Sequence, residues 1–363
     1  MALALALNSC QFPTEAQARE LLIRLVEIPG VTGSEERACE YLAQALSAYG
    51  WEDARLDEVG SVVARRGCGE REIVLLGHID TVPGGPVFCV EGDVLWGRGS
   101  VDARGPLCAF VVAGGAVEVP DGWRLTLIAA VGEEGDSRGA KHVIPLHSPA
   151  ACVVGEPSGT SGVTVGYRGY LRLQVSAQDA GVHRSGDAGP VTTSLMAASD
   201  ILRNVDGRDN PEKPVIERPF GAVISMCGRE AGTRSGFVDL DVRLPLGASP
   251  DAWAEEFIEI GERRGVDVKL ISSMPAHLVD KNDPLARVLR VAVRDAGLTP
   301  RLLAKGGTAD FNLAAAWNCP MAAYGPGDSK LDHTAEEHID LNEYLASISI
   351  LKNALERFMR ERP

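Results

Sequence analysis

Two adjacent carboxylates, Glu133 and Glu134, follow the predominantly apolar run LTLIAAV and lie between glycines in VGEEG. Like charges side by side at the end of a buried strand repel each other, so this placement calls for a positive charge nearby. Because neighbouring residues of an extended chain point to opposite sides, one carboxylate is expected to bind a metal ion while the other faces an attacking water. The plain alternative is an exposed acidic turn, and the apolar run before the pair argues against it.

Several other segments end in side chains that bind metal ions. LLGHID ends a buried run with His78 and Asp80, and CVVGEP ends another with Glu156. The glycine-rich segment GRGSVDARG supplies Asp102, and the late segment KLDHTAEEHI supplies His333. Because ligands gather beyond the carboxyl ends of the strands in open α/β sheets, we expect these side chains to converge. Each one alone is an ordinary surface charge or a chance pattern, whereas several together favour a metal site.

This donor set predicts a hydrolytic metal centre. His78 and Asp80 are two residues apart on a strand and share a face, so the carboxylate can accept a hydrogen bond from the imidazole nitrogen that faces away from a metal ion. The two oxygens of Asp102 can bridge two cations, as in two-metal hydrolases. Histidines and carboxylates without paired thiolates suit Zn²⁺, with Co²⁺ or Mn²⁺ as alternatives. Such a centre with a carboxylate base hydrolyses amides.

Composition bounds the class of protein. The chain has 363 residues, which are too many for most single cores and favour two domains. The formal charge of −14, without a long Lys/Arg cluster, argues against binding to nucleic acid or to a membrane surface. The eight cysteines are scattered without a CxxC pair, the N-terminal segment is a poor signal peptide, and no apolar stretch is long enough for a membrane span. We therefore expect a cytoplasmic protein.

The elements that must position these groups predict an α/β fold with an insertion. Short apolar strands alternate with helices up to residue 162, as in a mostly parallel sheet. From residue 163 the segment VTVGYRGYLRLQVSAQ alternates apolar and polar residues, as a half-exposed antiparallel strand does. We predict a catalytic metal-binding domain of residues 1–162 and 276–363 and an inserted α+β domain of residues 163–275.

Six motifs together resemble a known family. GHIDTVP, GRGSVDARG, GEEG, GEP, GGTAD and DHTAEEHI resemble, in order and spacing, the motifs of the M20 family of di-zinc aminoacylases and exopeptidases. The resemblance implies a zinc-exopeptidase-like catalytic domain and a ferredoxin-like inserted domain that acts as a lid and forms a homodimer. It also implies roles: His78, Asp102 and Glu156 hold one metal ion, Asp102, Glu134 and His333 hold the other, Glu133 is the general base, and Asp80 orients His78.

The resemblance also implies substrate contacts. His183 matches a histidine that stabilises the tetrahedral oxyanion, often from the partner subunit. Arg243 and the turn with Gly307 and Thr308 match positions that bind the substrate carboxylate; for Arg243 a surface charge is the alternative. The final motif departs from the common AHTPNE because Asp332 and Glu336 replace Ala and Asn, which makes the surroundings of the metal histidine more acidic. Four other histidines match no role: His142, His147, His277 and His338.

Within the family, VDARGPLCAF and GYRGYL look most similar to the hydrolases of the α-aminoadipate route of lysine biosynthesis. That branch releases lysine, and in some members ornithine for arginine biosynthesis, from the C-terminal glutamate side chain of a small acidic amino-group carrier protein. An acidic enzyme needs local basic residues to bind an acidic carrier. Five arginines near the motifs either form such a basic rim or are scattered, solvated side chains. They are Arg98, Arg104, Arg168, Arg172 and Arg184.

Two other functions stay open on the sequence alone. The first is a small-molecule deacylase of the same family, acting on acetylornithine, acetyl-lysine or succinyl-diaminopimelate. The second is a catalytically silent metal-binding or scaffold protein, against which the intact base at Glu133 argues. Turnover of carrier-linked lysine, compared with that of free acetylated amino acids, separates the first alternative from the carrier hypothesis.

Overall fold

The computed structural model describes residues 13–181, 187–229 and 232–361, and these contain nine α-helices and sixteen β-strands. The helices are α1 Glu15–Glu27, α2 Glu36–Ala45, α3 Arg104–Ala116, α4 Arg138–Val143, α5 Gly189–Asp206, α6 Pro250–Arg264, α7 Pro284–Asp295, α8 Asp310–Ala314 and α9 Leu341–Glu361. The strands are β1 Glu52–Leu56, β2 Val62–Arg66, β3 Arg71–His78, β4 Cys89–Glu91, β5 Val94–Trp96, β6 Trp123–Ala130, β7 Ala151–Gly155, β8 Gly162–Tyr167, β9 Gly169–Asp179, β10 Phe220–Arg229, β11 Arg234–Leu244, β12 Asp267–Met274, β13 His277–Leu278, β14 Arg301–Lys305, β15 Met321–Ala323 and β16 His338–Asp340. Within the described residues, no helix is both long and apolar enough to cross a membrane.

The chain folds into two compact units. The first unit contains the described residues of 1–165, together with 279–303 and the described residues of 313–363. The second unit contains the described residues of 166–278 together with 304–312. The short segment 304–312 therefore packs with the second unit although the chain on either side of it packs with the first. The catalytic role predicted for one part and the lid role predicted for the other stay predictions.

The large sheet of the first unit has a parallel centre. Its strand order is β1-β2-β6-β3-β7-β15-β8, and the neighbours β6, β3, β7 and β15 run parallel. The outer pairs β1-β2, β2-β6 and β15-β8 are antiparallel. β3, β6 and β7 read as apolar runs because they are buried on both faces. This confirms the predicted α/β fold.

Helices cover this sheet as its apolar strands require. All thirteen residues of α3 are buried, which explains why that helix carries no charged face beyond its first residue. Thr14 caps α1: its side chain accepts a hydrogen bond from the Gln17 N–H, while the Gln17 side chain accepts one from the Thr14 N–H. A separate three-stranded sheet, β16-β5-β4, was absent from the sequence prediction because its strands have only three residues each.

The second unit has the ferredoxin-like order β9-α5-β10-β11-α6-β12. Its four antiparallel strands are arranged β10-β11-β9-β12, and β11 shows strict alternation of buried and half-buried residues. The segment predicted as one strand from residue 163 is two strands, because the chain leaves the large sheet at Arg168 between β8 and β9. β8 is buried throughout, and the alternation belongs mainly to β9.

Candidate metal centre

Parallel strand neighbours bring four of the predicted residues to one edge of the large sheet. His78 ends β3 and lies opposite Ala130, the last residue of β6, after which come the two adjacent glutamates. β7 pairs with β3 up to Gly155, and Glu156 follows directly. Because β6, β3 and β7 are adjacent and parallel, their carboxyl ends meet. The convergence predicted from the strand ends is therefore present in the structure.

Asp102 joins two histidines that are far apart in the sequence. Its Oδ1 lies 3.2 Å from Nε2 of His78, and its Oδ2 lies 3.1 Å from Nε2 of His333. The peptide bond between Asp102 and Ala103 is cis, directly before α3 begins. His333 has a φ of 60°, in the left-handed region that non-glycine residues seldom adopt. Each oxygen of one carboxylate thus faces a different histidine, which is the arrangement a bridging ligand requires.

The remaining acids complete two groups of donor atoms. Oε1 of Glu134 lies 2.8 Å from Nε2 of His333, and Oε1 of Glu156 lies 4.0 Å from Nε2 of His78. Donor atoms of Asp102, Glu134 and His333 all lie within 4.8 Å of one another, as do those of His78, Glu133 and Glu134. Ligands at zinc distance in a tetrahedral site are roughly 3.3 Å apart. The spacings bracket that value, so these residues fit divalent cations.

The charge balance of the cluster also favours cations. Hydrogen bonds from His333 to Asp102 and Glu134 raise the pKa of His333 to about 10, although its partial burial acts the other way. Burial lowers the pKa of His78, but its contacts with Asp102 and Asp80 outweigh burial and the pKa lies well above the usual range. Both rings are driven towards the positive form because the carboxylates carry excess negative charge. Divalent cations would supply the compensating charge.

Asp80 connects the His78 ring to the glutamate pair. Nδ1 of His78 lies 3.1 Å from the backbone oxygen of Asp80 and 3.6 Å from its carboxylate, so the shorter contact fixes the ring through the main chain. The carboxylate, which is fully buried, accepts hydrogen bonds from the N–H of Glu133 and of Glu134, both at 3.1 Å, and from the Thr32 hydroxyl at 2.7 Å. Burial raises the pKa of Asp80, but His78 and these donors lower it below its usual value.

The glutamate pair lies in a turn and not in an extended strand. Residues 133–136 form the turn, and Gly132, at φ +79°, closes it by accepting hydrogen bonds from the N–H of Gly135 and of Ser137. The expectation that the two side chains point to opposite sides assumed an extended backbone at this position. That assumption is wrong. Their backbone N–H groups are instead held by Asp80, and both carboxylates have an oxygen near His78.

The predicted substrate residues form a separate cluster in the second unit. Nη1 of Arg243 lies 3.2 Å from Oγ1 of Thr308, and Thr308 donates to the backbone oxygen of Arg168 at 2.8 Å. Nε of Arg168 donates to the Gly306 oxygen at 2.7 Å. Burial lowers the pKa of Arg168, and the positive charge of Arg243 lowers it further. Gly307 is exposed and has open space where a side chain would lie. Nε of Arg243 pairs with Asp241 at 2.9 Å, and the open turn leaves room for an anionic group beside the two arginines.

Some predicted residues have other surroundings. Arg104 is 1% exposed and cannot belong to a basic rim, because its guanidinium donates to the backbone oxygens of Ile79, Leu25 and Ile28. Arg98 also points inward and pairs with Glu337, so this part of the predicted rim is wrong. His183 and Arg184 lie outside the described residues.

Of the unassigned histidines, His147 contacts Glu72 at the other end of β3, and His338 lies against Trp96. Sequence reasoning missed Thr32 and Glu337. Thr32 gave no signal, whereas Glu337 is the last acid of the DHTAEE motif and is fully buried.

Comparisons with known proteins show the family and the fold of the chain. The model of peptidase family M20/M25/M40 matches residues 74–357. The LysW-lysine hydrolase of Deinococcus radiodurans is 36% identical over 357 residues, covering 96% of this chain and 98% of the relative. The LysW-lysine/LysW-ornithine hydrolase of Sulfurisphaera tokodaii is 29% identical and covers 93% and 94%. A solved M20 metallo-carboxypeptidase, Sso-CP2 of Sulfolobus solfataricus, matches with a TM-score of 0.81 at 15% identity, covering 95% and 99%.

Proposed function

Because the chain belongs to peptidase family M20/M25/M40, we propose that it is a metal-dependent amidohydrolase that releases lysine or ornithine from an amino-group carrier protein. The bond cleaved joins the side-chain carboxyl of the carrier's C-terminal glutamate to the α-amine of the amino acid, as a step of lysine or arginine biosynthesis. The names of the relatives supply the substrate. The observation that carries the chemistry is Asp102, whose two oxygens each face a different histidine.

The proposed centre holds two divalent ions, with Zn²⁺ as the first choice for this donor set and Co²⁺ or Mn²⁺ as alternatives. His78, Asp102 and Glu156 would hold one ion, and Asp102, Glu134 and His333 would hold the other. When bound, such ions polarise the scissile carbonyl and acidify the attacking water. The support is the spacing of these donor atoms and the excess negative charge around the two histidines.

Glu133 is the proposed general base. Its carboxylate takes the proton from the attacking water and then gives it to the α-nitrogen of the departing amino acid, so a single group serves both steps. Glu134 beside it binds metal, and Asp80 holds the backbone of both residues. The two adjacent acids therefore have different proposed roles, Glu133 as the base and Glu134 as a metal ligand.

Arg243, Gly307 and Thr308 are the proposed contacts of the substrate carboxylate. Their support is the short distance between Arg243 and Thr308 and the open space at Gly307. His183, which lies outside the described residues, is proposed to stabilise the oxyanion.

Substituting the two glutamates separately tests the mechanism. Glu134→Ala is expected to bind one metal ion fewer, whereas Glu133→Ala is expected to keep both ions and to lose turnover by at least about a hundredfold. Metal content measured on the purified, dialysed protein and turnover of carrier-linked lysine are the two readouts. Full activity in Glu133→Ala would mean that another group acts as the base, and the proposed mechanism would be wrong.

The substrate is tested by comparing carrier-linked lysine with small acylated amino acids. We expect higher kcat/KM for the carrier conjugate than for acetyl-lysine, acetylornithine or succinyl-diaminopimelate. Equal or faster turnover of a free acylated amino acid would assign the chain to the small-molecule deacylases instead. The metal experiment above is unaffected by this outcome, so mechanism and substrate are tested separately.

We also propose a homodimer that covers strand β10. Among the described residues, β10 pairs only with β11 and therefore forms an edge of its sheet. It exposes a row of large apolar side chains: Phe220, Val223, Ile224 and Met226, at 40–57% exposure. Exposed apolar edges of this kind are seldom left uncovered. A charge at the centre of the row, Ile224→Lys, is expected to convert the dimer into a monomer in light scattering. A wild-type monomer at micromolar concentration would contradict the proposal.

The free cysteines agree with a cytoplasmic location. Cys68 and Cys227 are free thiols exposed to solvent. Exposed thiols persist in a reducing compartment. Location of a tagged protein in a cell fractionation tests this proposal.

A further inference from the structure

A buried carboxylate outside the predicted ligand set organises the Asp102 loop. Glu337 is fully buried, and its Oε1 accepts hydrogen bonds from three backbone N–H groups, those of Gly99 at 3.0 Å, Val101 at 3.0 Å and Asp102 at 3.1 Å. A buried charge is expensive unless several donors compensate it. Three N–H groups aimed at one oxygen provide that compensation and fix the loop at the same time.

Arg98 completes the arrangement on the other oxygen. Its Nη1 donates to Oε2 of Glu337 at 2.5 Å, and its Nη2 donates to the backbone oxygen of Thr334 at 3.1 Å. Nε donates to the Gly84 oxygen at 3.3 Å. The guanidinium fork therefore ties the loop that carries His333 to the carboxylate that holds the Asp102 loop. We call Glu337 and Arg98 the Glu337–Arg98 clamp.

The clamp acts on the contact between two proposed metal ligands. The Asp102 N–H is bound by Glu337, and Thr334, which is bound by Arg98, directly follows His333. Two loops that are distant in the sequence are thus fixed relative to each other next to the 3.1 Å contact between Asp102 Oδ2 and His333 Nε2. His78, by contrast, ends a strand of the large sheet: it lies opposite Ala130 of β6, and the preceding residue, Gly77, lies opposite Gly155 of β7.

We propose that Glu337 and Arg98 are positioning residues for the metal centre, and that they act mainly on the site formed by Asp102, Glu134 and His333. The proposal rests on the two-metal centre of the proposed function. The sheet holds His78 without the clamp, and Asp102 is shared by both sites, whereas His333, on a loop in left-handed conformation, depends on the clamp. Removing such supporting hydrogen bonds costs about 10–100-fold in metal affinity in known metal sites.

Glu337→Gln is the main test because the amide keeps the shape of the carboxylate. The amide oxygen still accepts hydrogen bonds, but the new NH₂ group faces either Arg98 or the backbone N–H groups. Whichever of these donors faces the NH₂ group loses its acceptor. We expect the Kd of one of the two Zn²⁺ equivalents to rise about tenfold or more, which corresponds to about 1.4 kcal/mol. The other equivalent is expected to change less than about threefold. Calorimetric titration of metal-free protein with Zn²⁺ measures both without an activity assay.

Glu72→Gln is the matched control. Glu72 is equally buried and hydrogen-bonded, by Thr126 at 2.5 Å and by Arg124 at 3.3 Å, but it lies six residues before His78 on β3. At about 3.3 Å per residue it is about 20 Å from the metal centre. The Glu72→Gln substitution is expected to lower the melting temperature and to leave both Kd values for Zn²⁺ unchanged. A purely structural role for Glu337 would give the same pattern in Glu337→Gln.

Arg98→Lys is the second variant, in case Glu337→Gln does not fold. Lysine keeps the charge beside Glu337 but cannot reach all three oxygens, so an intermediate rise of Kd is expected, while Arg98→Met is expected to match Glu337→Gln. Unchanged Zn²⁺ affinities in the folded variants would overturn the inference. If the wild type itself binds fewer than two Zn²⁺ ions, the proposed two-metal function fails instead, so the two failures are distinguishable.

Discussion

Replacing Asp80 by asparagine tests whether this residue holds the glutamate turn. The side chain keeps its size but loses one acceptor oxygen. In the protein, Oδ2 accepts from Glu134 N–H and from the Thr32 hydroxyl, and Oδ1 accepts from Glu133 N–H. The amide oxygen will take the place with two donors, so the NH₂ group will face the Glu133 N–H.

The magnitude follows from these three hydrogen bonds. The Glu133 N–H loses its acceptor, which costs about 1–3 kcal/mol for a group away from water. The two remaining bonds change from a charged to a neutral acceptor and each weakens by about 1 kcal/mol. Neutralising Asp80 also relieves repulsion among the neighbouring carboxylates, which offsets part of the loss. We therefore expect the free energy of unfolding of the metal-free first unit to fall by about 3 kcal/mol.

Urea unfolding of chelator-treated protein measures this change. Four of the five tryptophans belong to the first unit, so their fluorescence reports mainly its unfolding. Turnover of the metal-loaded variant is expected to fall about 10–100-fold, because the backbone that carries the proposed base is released. Thr32→Val is the control, since it removes a single donor and should cost about 1 kcal/mol. An effect of Asp80→Asn no larger than that of Thr32→Val would refute the role given to the carboxylate.

Three further outcomes are expected. Gly307→Ala adds a methyl group where no atom lies within 4 Å, so the melting temperature should stay unchanged. If the turn contacts substrate, kcat/KM should fall, and an unchanged kcat/KM would contradict that contact. Gly30→Ala places a Cβ 2.2 Å from Nη2 of the pinned Arg104 and should cost about 2–3 kcal/mol of stability in thermal unfolding. Burial raises the pKa of Glu72, but hydrogen bonds from His147 and Thr126 lower it to about 2 from 4.5. The ionised Glu72 therefore stabilises the fold by on the order of 3 kcal/mol above pH 4.5, and this stabilisation is lost as the pH falls towards 2. Glu72→Gln should remove this pH dependence from acid-unfolding curves.

The sequence allowed the convergence of ligands to be predicted because it depends on strand order alone. Apolar runs that end in His78 or Glu156 can be recognised without coordinates, and adjacent parallel strands bring their carboxyl ends together. The sequence could not show that Glu133 lies in a turn held by Asp80, since that contact joins residues 53 positions apart.

Charged residues near the motifs were harder to interpret. Arg104 and Glu337 look like surface charges in sequence, yet both are buried, because backbone oxygens surround one and backbone N–H groups surround the other. A single sequence specifies side chains but not the main-chain groups that will face them. For this reason Arg98 and Arg104 were wrongly assigned to the basic rim predicted for the carrier protein.

The place of β15 in the large sheet has a consequence for synthesis. β7 and β8 are consecutive in the chain, but β15, from residues 321–323, lies between them and pairs with both. The sheet that carries the proposed metal ligands therefore cannot be completed until residues 321–323 have left the ribosome. Until then the facing edges of β7 and β8 remain open to other strands, and a ribosome-bound nascent chain that ends before β15 should need chaperones that the full-length protein does not.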